Sequence, residues 1–393
     1  MKSIPNTSPD RLNVVDALRG FAIISIMLLH NIEHFDFYYI PEQLPAWLST
    51  LDKIIWDSLF FLFGGKSYAI FALLFGVTFF IQYNNRLKRG EDFCGRFLWR
   101  LLLLLGFGII NSIFFEGDIL GIYAVIGVIM VPFRKLSNTI VLTAAILFML
   151  QPLEWFYLIK IVLNPDYTGP VAQAGIYFQK IDQYLSNGSF FEAAWGNLTN
   201  GRTAVLYWSL ENGRYFQTAA LFLSGMLLGR QNRFAMTSSN HKFWDRALLL
   251  AVIAFIPLFY LKSAVSGWPL AEALRLRLGV IITSWSNFAF MSVLVALFVI
   301  LFRFKRPAAW LTKLSPVGRM SLSNYIIQSI LGSFIYYGYG LGLYQYTSAT
   351  HCLLIGMVLA VVQTLFSKWW MNGHKRGPLE GWWHKATWMG IKK

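Results

Sequence analysis

In the stretch "DALRGFAIISIMLLHNIEHF", residues 16–35, Arg19 opens an apolar run and His30 closes it. Ionisable groups inside an apolar helix are expensive and mark function by default. Eleven residues at about 100° each make close to three turns, so the two side chains share a face, roughly 16–17 Å apart along the axis. A guanidinium suits phosphates, and an imidazole suits proton transfer as a general base. A ligand with phosphates at one end and a reactive group on a long arm fits that spacing, and coenzyme A has this shape. Plainer readings are an arginine snorkelling to lipid headgroups and a neutral histidine hydrogen-bonded within the protein.

Other polar residues are placed where they could serve the same chemistry. Asp16 precedes Arg19 by three residues and can orient it as an i,i+3 partner. Lys66 follows Gly64 and Gly65 within an apolar run, as a donor or oxyanion contact or as half of an internal ion pair. Glu116 and Asp118 fall in a short turn, where they could orient His30 or bind an acceptor hydroxyl. Alternatively the turn is solvated and Asp118 caps the helix that follows. Ser321, Asn324, Tyr325 and Gln328 form a stripe at i, i+3, i+4 and i+7, facing a cavity or bonding to a neighbouring helix. His30, Glu33 and His34 satisfy the His-x-x-Glu-His pattern of a metalloprotease family. No third ligand stands out, so no metal site is assigned. His351, His374 and His384 show no partners, and Glu380 is read as an anchor for the C-terminal tail.

The elements that must position these groups are membrane helices. Of 393 residues, 56% are hydrophobic and 13% charged, far from the roughly 25% charged of soluble chains. The fold class is an all-α polytopic membrane protein. Ten spans are expected, at about 14–35, 55–83, 97–115, 118–133, 138–162, 214–231, 246–263, 277–302, 316–338 and 349–371. The over-long second span carries Gly64–Gly65–Lys66 in its middle, which predicts a break facing a cavity. This divides the chain into a five-helix half (1–162), a connection (163–213) and a second five-helix half with a tail (214–393).

Charge sets the expected orientation. With the N-terminus inside, 24 lysines and arginines lie on the cytoplasmic side and 8 on the other, the positive-inside pattern. Both termini are therefore expected in the cytoplasm, and the net charge of +15 reads as topology and lipid contact, not nucleic-acid binding. Residues 163–213 then lie outside, as short amphipathic helices at the interface. The sequons at Asn187 and Asn197 there would carry glycans only in a eukaryote. Cys94 and Cys352 give no disulfide framework. The polar first 12 residues give no sign of a signal peptide.

The Arg-x10-His spacing in the first helix resembles the signature of the acyltransferase-three group of transmembrane acyltransferases. "RLNVVDALRGFAIISIMLLHN" is more specifically similar to the start of YeiB-like proteins, whose C-terminal half is the domain of unknown function 418. "GGKSYAIFALLFG", "FEGDILGIYAVIG" with Tyr123, "FLSGMLLGR", "GRMSLSNYIIQSIL" and "GPLEGWW" resemble later blocks of that family, in order. YeiB-like sequences often carry Asn where His30 stands. The resemblance implies an enzyme of the cytoplasmic membrane that moves an acyl group from acyl-CoA, acetyl-CoA above all, to an envelope sugar or lipid-linked glycan. His30 would be the catalytic base with Glu116 and Asp118. Arg19, Asp16, Lys66, Tyr123, Asn324, Tyr325 and Gln328 would bind substrate. Acyl-CoA enters as co-substrate, with no resident cofactor. A transporter or lipid-handling protein is the non-enzymatic alternative.

Overall fold

The computed structural model describes residues 9–39, 41, 44–164 and 166–389, and among these there is no strand. Its longer helices are α1 (Pro9–Ile32), α2 (Ala46–Phe63), α3 (Ser67–Leu87), α4 (Cys94–Ser112), α5 (Leu120–Gly127), α6 (Asn138–Met149) and α7 (Pro152–Leu163). After a connection come α8 (Arg202–Glu211), α9 (Arg214–Arg230), α10 (Ser238–Ala264), α11 (Glu272–Leu301), α12 (Ser321–Tyr336), α13 (Ala349–Gly373) and α14 (Pro378–Thr387).

Local chemistry fixes the ends. Ser137 caps α6 by accepting from the Ile140 amide at 3.3 Å. Ser348 and His351 form a capping box at the start of α13, which gives His351 a structural partner. The expected break in the second span is present: α2 ends at Phe63 with Gly64 as its C-cap, Gly65 takes φ +76°, and α3 starts after Lys66. A side chain at Gly65 would be strained and would also meet Asn287 Nδ2 at 2.4 Å. Between α6 and α7, Gln151 adopts φ 61° and Pro152 opens the next helix, so the two meet at 49°.

Among the described residues, six helical stretches are long and apolar enough to cross a membrane, or seven if α6 and α7 act as one bent span. The chain is a multi-pass membrane protein by this measure, though ten spans are not reached. The region expected as span 118–133 is two short helices of 8 and 4 residues. Helix α9 has 17 residues, and 316–338 divides at Met320 into pieces of 5 and 16. Helices that short, buried among others, fail a length criterion without losing their place in the bundle.

Helix α1 runs through the centre and α10 at the edge, where only 11% of its most apolar stretch is buried. Helices α3 and α9 pack so closely that a Cβ at Gly225 would lie 1.9 Å from the Leu73 carbonyl oxygen. One apolar core runs from Val14 to Ile326 and draws on both halves of the chain. The 163–213 connection folds into short helices as expected, including Ala174–Phe178, Ile181–Leu185 and Phe190–Gly196.

Candidate functional site: two cavities on one helix

The face of α1 that carries Arg19 and His30 borders a cavity at each end. Around Arg19 lies a space of about 470 Å³, lined by Arg19, Arg86, Arg89, Arg100, Arg319 and Arg376. Arg19 is held as anticipated by Asp16, its Nη1 donating to Oδ1 at 3.0 Å. Its Nη2 donates to Thr78 Oγ1 at 2.9 Å. Arg86 and Arg100 stack on Trp388 and Trp383, 3.9 and 4.0 Å from the ring centres. The tail that supplies these rings is pinned by Glu380, which accepts from the Leu322 and Ser323 amides at 2.7 and 3.1 Å. The expected anchoring role of Glu380 is thereby met.

Around His30 lies the larger cavity, about 990 Å³. His30 is partly buried, with its ring edge-on to Phe115 at 4.7 Å. Its Nδ1 stands 3.4 Å from Glu33 Oε2, near enough for charge attraction but not aligned as a hydrogen bond. Just past the helix, His34, Phe35 and Asp36 all take positive φ, at 49°, 55° and 64°. Three non-glycine residues in the left-handed region in succession store backbone strain. Phe35 N donates to the His30 carbonyl at 2.7 Å, and the Tyr337 hydroxyl donates to the Phe35 carbonyl at 2.7 Å. This turn folds Asp36 back onto the helix end, where ligating atoms of His30, Glu33 and Asp36 lie within 4.8 Å of one another. Burial and the Glu33 carboxylate push Asp36 up to about 7, against the pull of His30.

The same turn separates His34 from His30. His34 Nε2 lies 2.9 Å from Thr347 Oγ1 and 3.2 Å from Cys352 Sγ, and burial lowers its pKa to about 4. The His-x-x-Glu-His reading therefore fails on geometry, because its second histidine is committed elsewhere.

Glu116 and Asp118 are both buried, so the solvated-turn reading does not hold. Asp118 lines the His30 cavity and caps α5, accepting from the Gly121 amide at 2.9 Å and from Asn111 Nδ2 at 3.1 Å. Burial raises it to about 6. Among the described residues neither carboxylate oxygen of Glu116 has a well-formed hydrogen-bond partner, and burial together with Asp36 drives it well above the carboxylate range.

Lys66 also faces the His30 cavity, with Arg214 and Lys262. Its ammonium donates to the Phe60 carbonyl at 3.3 Å and has no carboxylate partner among the described residues, so the ion-pair alternative is not met.

The polar stripe on α12 divides. Ser321 lines the Arg19 cavity and Tyr325 the His30 cavity. Asn324 lines neither, since its amide donates to Val317 O at 3.1 Å and to Ser367 Oγ at 3.0 Å. Gln328 is buried and lines neither. Tyr123 lines the Arg19 cavity, and its hydroxyl donates to the Tyr68 carbonyl at 2.7 Å. Tyr68 lines the other cavity. The two cavities share no lining residue, and Tyr123, Tyr68 and Phe71 pack where they approach. Asn197 is fully buried, which excludes its sequon as a glycan acceptor in this fold.

Sequence reasoning missed Asp36, Arg214, Lys262 and five of the arginines. Their positions are far apart in the chain, and only the lone Lys66 hinted at a gathering of cations.

Residues 228–390 match the family described as "Protein of unknown function (DUF418)". Over 98% of its length the chain is 27% identical to the "Uncharacterized protein YxaH" of Bacillus subtilis (strain 168), covering 96% of that protein. It is 26% identical, over 98% of its length, to an uncharacterized 39.9 kDa protein of Bacillus acidopullulyticus, of which 95% is covered. It is 27% identical to the "Uncharacterized protein YeiB" of Escherichia coli (strain K12), with 96% of each covered. These matches support the likeness to YeiB-like proteins. No solved structure matches the chain.

Proposed function

We propose that the chain is a membrane acyltransferase that moves an acyl group, acetyl in the simplest case, from cytoplasmic acyl-CoA to an envelope acceptor such as a sugar or lipid-linked glycan. One observation carries the reading. Six arginines line the cavity at one end of α1, and a histidine with carboxylates lines the cavity at the other. Coenzyme A is a polyanion with a thiol at the end of a long arm. Guanidinium groups bind phosphates by paired hydrogen bonds, so the arginine cavity suits the nucleotide end and the His30 cavity the thioester.

The reaction balances without a cofactor. The acceptor oxygen bonds to the thioester carbonyl carbon as its proton passes to His30. Carbon–sulfur cleavage follows, and the sulfur takes that proton from the imidazolium, leaving an ester and free coenzyme A. Glu33 stands beside Nδ1, so it favours the tautomer with Nε2 free to accept and steadies the imidazolium. The arm must pass Tyr123, which makes rotation of that ring a required step.

The deciding measurement is release of free CoA from labelled acetyl-CoA by purified protein in nanodiscs, with and without envelope glycan extract. Release that depends on His30 supports transfer. A protein that neither releases CoA nor binds it in a thermal-shift assay instead fits the second reading, a transporter or lipid-handling protein. The interrupted span at Gly64–Lys66 beside the large cavity favours that second reading.

A further inference from the structure

We infer that Lys66, Arg214 and Lys262 form an anion site in the His30 cavity for the phosphate of an amphiphile whose tails lie in the membrane. Lys66 is buried and Arg214 half-buried, and neither is salt-bridged to a carboxylate among the described residues. Arg214 lies over the rings of Tyr68 and Trp208, at 4.3 and 5.0 Å, while its buried Nη1 has no hydrogen-bond partner among the described residues. Lys262, on α10, completes the set. Three cations lining one cavity, none of them in a salt bridge among the described residues, repel one another, and a bound anion removes that repulsion.

The walls indicate what carries the anion. Phe61 of α2 meets Phe255 and Phe259 of α10 at 6.2 and 5.8 Å. All three rings line the cavity or its edge, and Phe61 and Phe259 are also exposed on the apolar flank of the bundle. At this aromatic seam between α2 and α10, acyl tails can remain among lipids while a headgroup reaches inward. The depth is right as well. Arg214 begins α9, and Lys262 lies two residues before the end of α10, where helices leave the hydrocarbon and phosphates reside. Ser67 hydrogen-bonds Ser25 at 2.8 Å, so Lys66 stands about one and a half turns, roughly 7–8 Å, from the level of His30. A phosphate at the cations places a headgroup hydroxyl near the imidazole. Naming the ligand as the acyl acceptor rests on the acyltransfer reading; the binding itself does not.

The test is native mass spectrometry of the full-length protein, delipidated and given dioleoyl phosphatidic acid, dioleoylglycerol or glycerol phosphate. Phosphatidic acid should be retained, and the Lys66→Gln/Arg214→Gln variant should lose at least tenfold in that retention with dioleoylglycerol unaffected. Lys66→Arg should keep it. Should the double variant not fold, Lys262→Gln, an exposed position, should still lower retention severalfold. Equal retention by wild type and variants overturns the site. Displacement of phosphatidic acid by equimolar glycerol phosphate overturns the membrane source of the phosphate. Turnover plays no part in the readout, so loss of the acyltransfer reading and loss of this site are separate results.

Discussion

At the scale of single residues, the environment of His30 is built by a turn that strains the backbone to bring Asp36 back. If His30 is the base, His30→Ala should lower CoA-dependent transfer by about 10²–10⁴-fold, with thermal melts confirming that the protein still folds. Arg19→Ala should raise the KM for acyl-CoA more than it lowers kcat. His30, Glu33 and Asp36 also have the spacing of a cation site, and a chelator separates the two uses of the imidazole. Turnover unchanged in EDTA fits a general base, whereas activity lost and then restored by zinc would make the trio a metal centre. Asp36 itself gives a stability prediction. Its native pKa of about 7 lies above the ordinary 3.8, so the folded state holds a proton that the unfolded state has released. Stability from this group is therefore full below about pH 4 and is lost as pH rises through about 7. The melting temperature should fall over that window, and Asp36→Asn should flatten the fall.

At the scale of elements, the interface of α3 and α9 depends on the absence of side chains. Gly225→Val would drive two methyl groups into the backbone around Leu73, and overpacking of this kind costs about 1–3 kcal/mol or more. A lowered melting temperature with aggregation on size exclusion is the expected result, and unchanged stability would mean that the helices separate easily. The break at Gly64–Lys66 and the Asp16–Arg19 pair were legible in the sequence, because each rests on near neighbours or on a glycine, and the Glu380 anchor was legible as a role though not in its distant partners Leu322 and Ser323. The acid–base cluster was not. Helical spacing places Asp36 about 120° away from His30 if the helix continues, and only the left-handed turn cancels that offset. The arginine cavity was illegible for another reason: Arg19, Arg86, Arg319 and Arg376 come from four distant segments. Asn324 shows the reverse error, a polar residue on the right helix whose amide is engaged in holding α12 to α13.

At the scale of the whole molecule, hydropathy and a length criterion part company wherever a buried piece is short, as with α9 and the segments on either side of Met320. The 24-to-8 split of lysines and arginines, not the helix count, carries the expected orientation with both termini inside. Impermeant thiol reagents should therefore label single cysteines added near either terminus only after the cytoplasmic face is opened. Labelling from outside would invert the molecule and with it the assignment of the acyl-CoA cavity. The packing around Tyr123 also matters to the membrane itself. Two water-accessible hollows back to back in a bilayer would, if joined, let protons leak across it. The ring of Tyr123, tied to the Tyr68 carbonyl, is the insulation between them, and vesicles carrying Tyr123→Ala should lose an imposed pH difference faster than vesicles carrying the wild type.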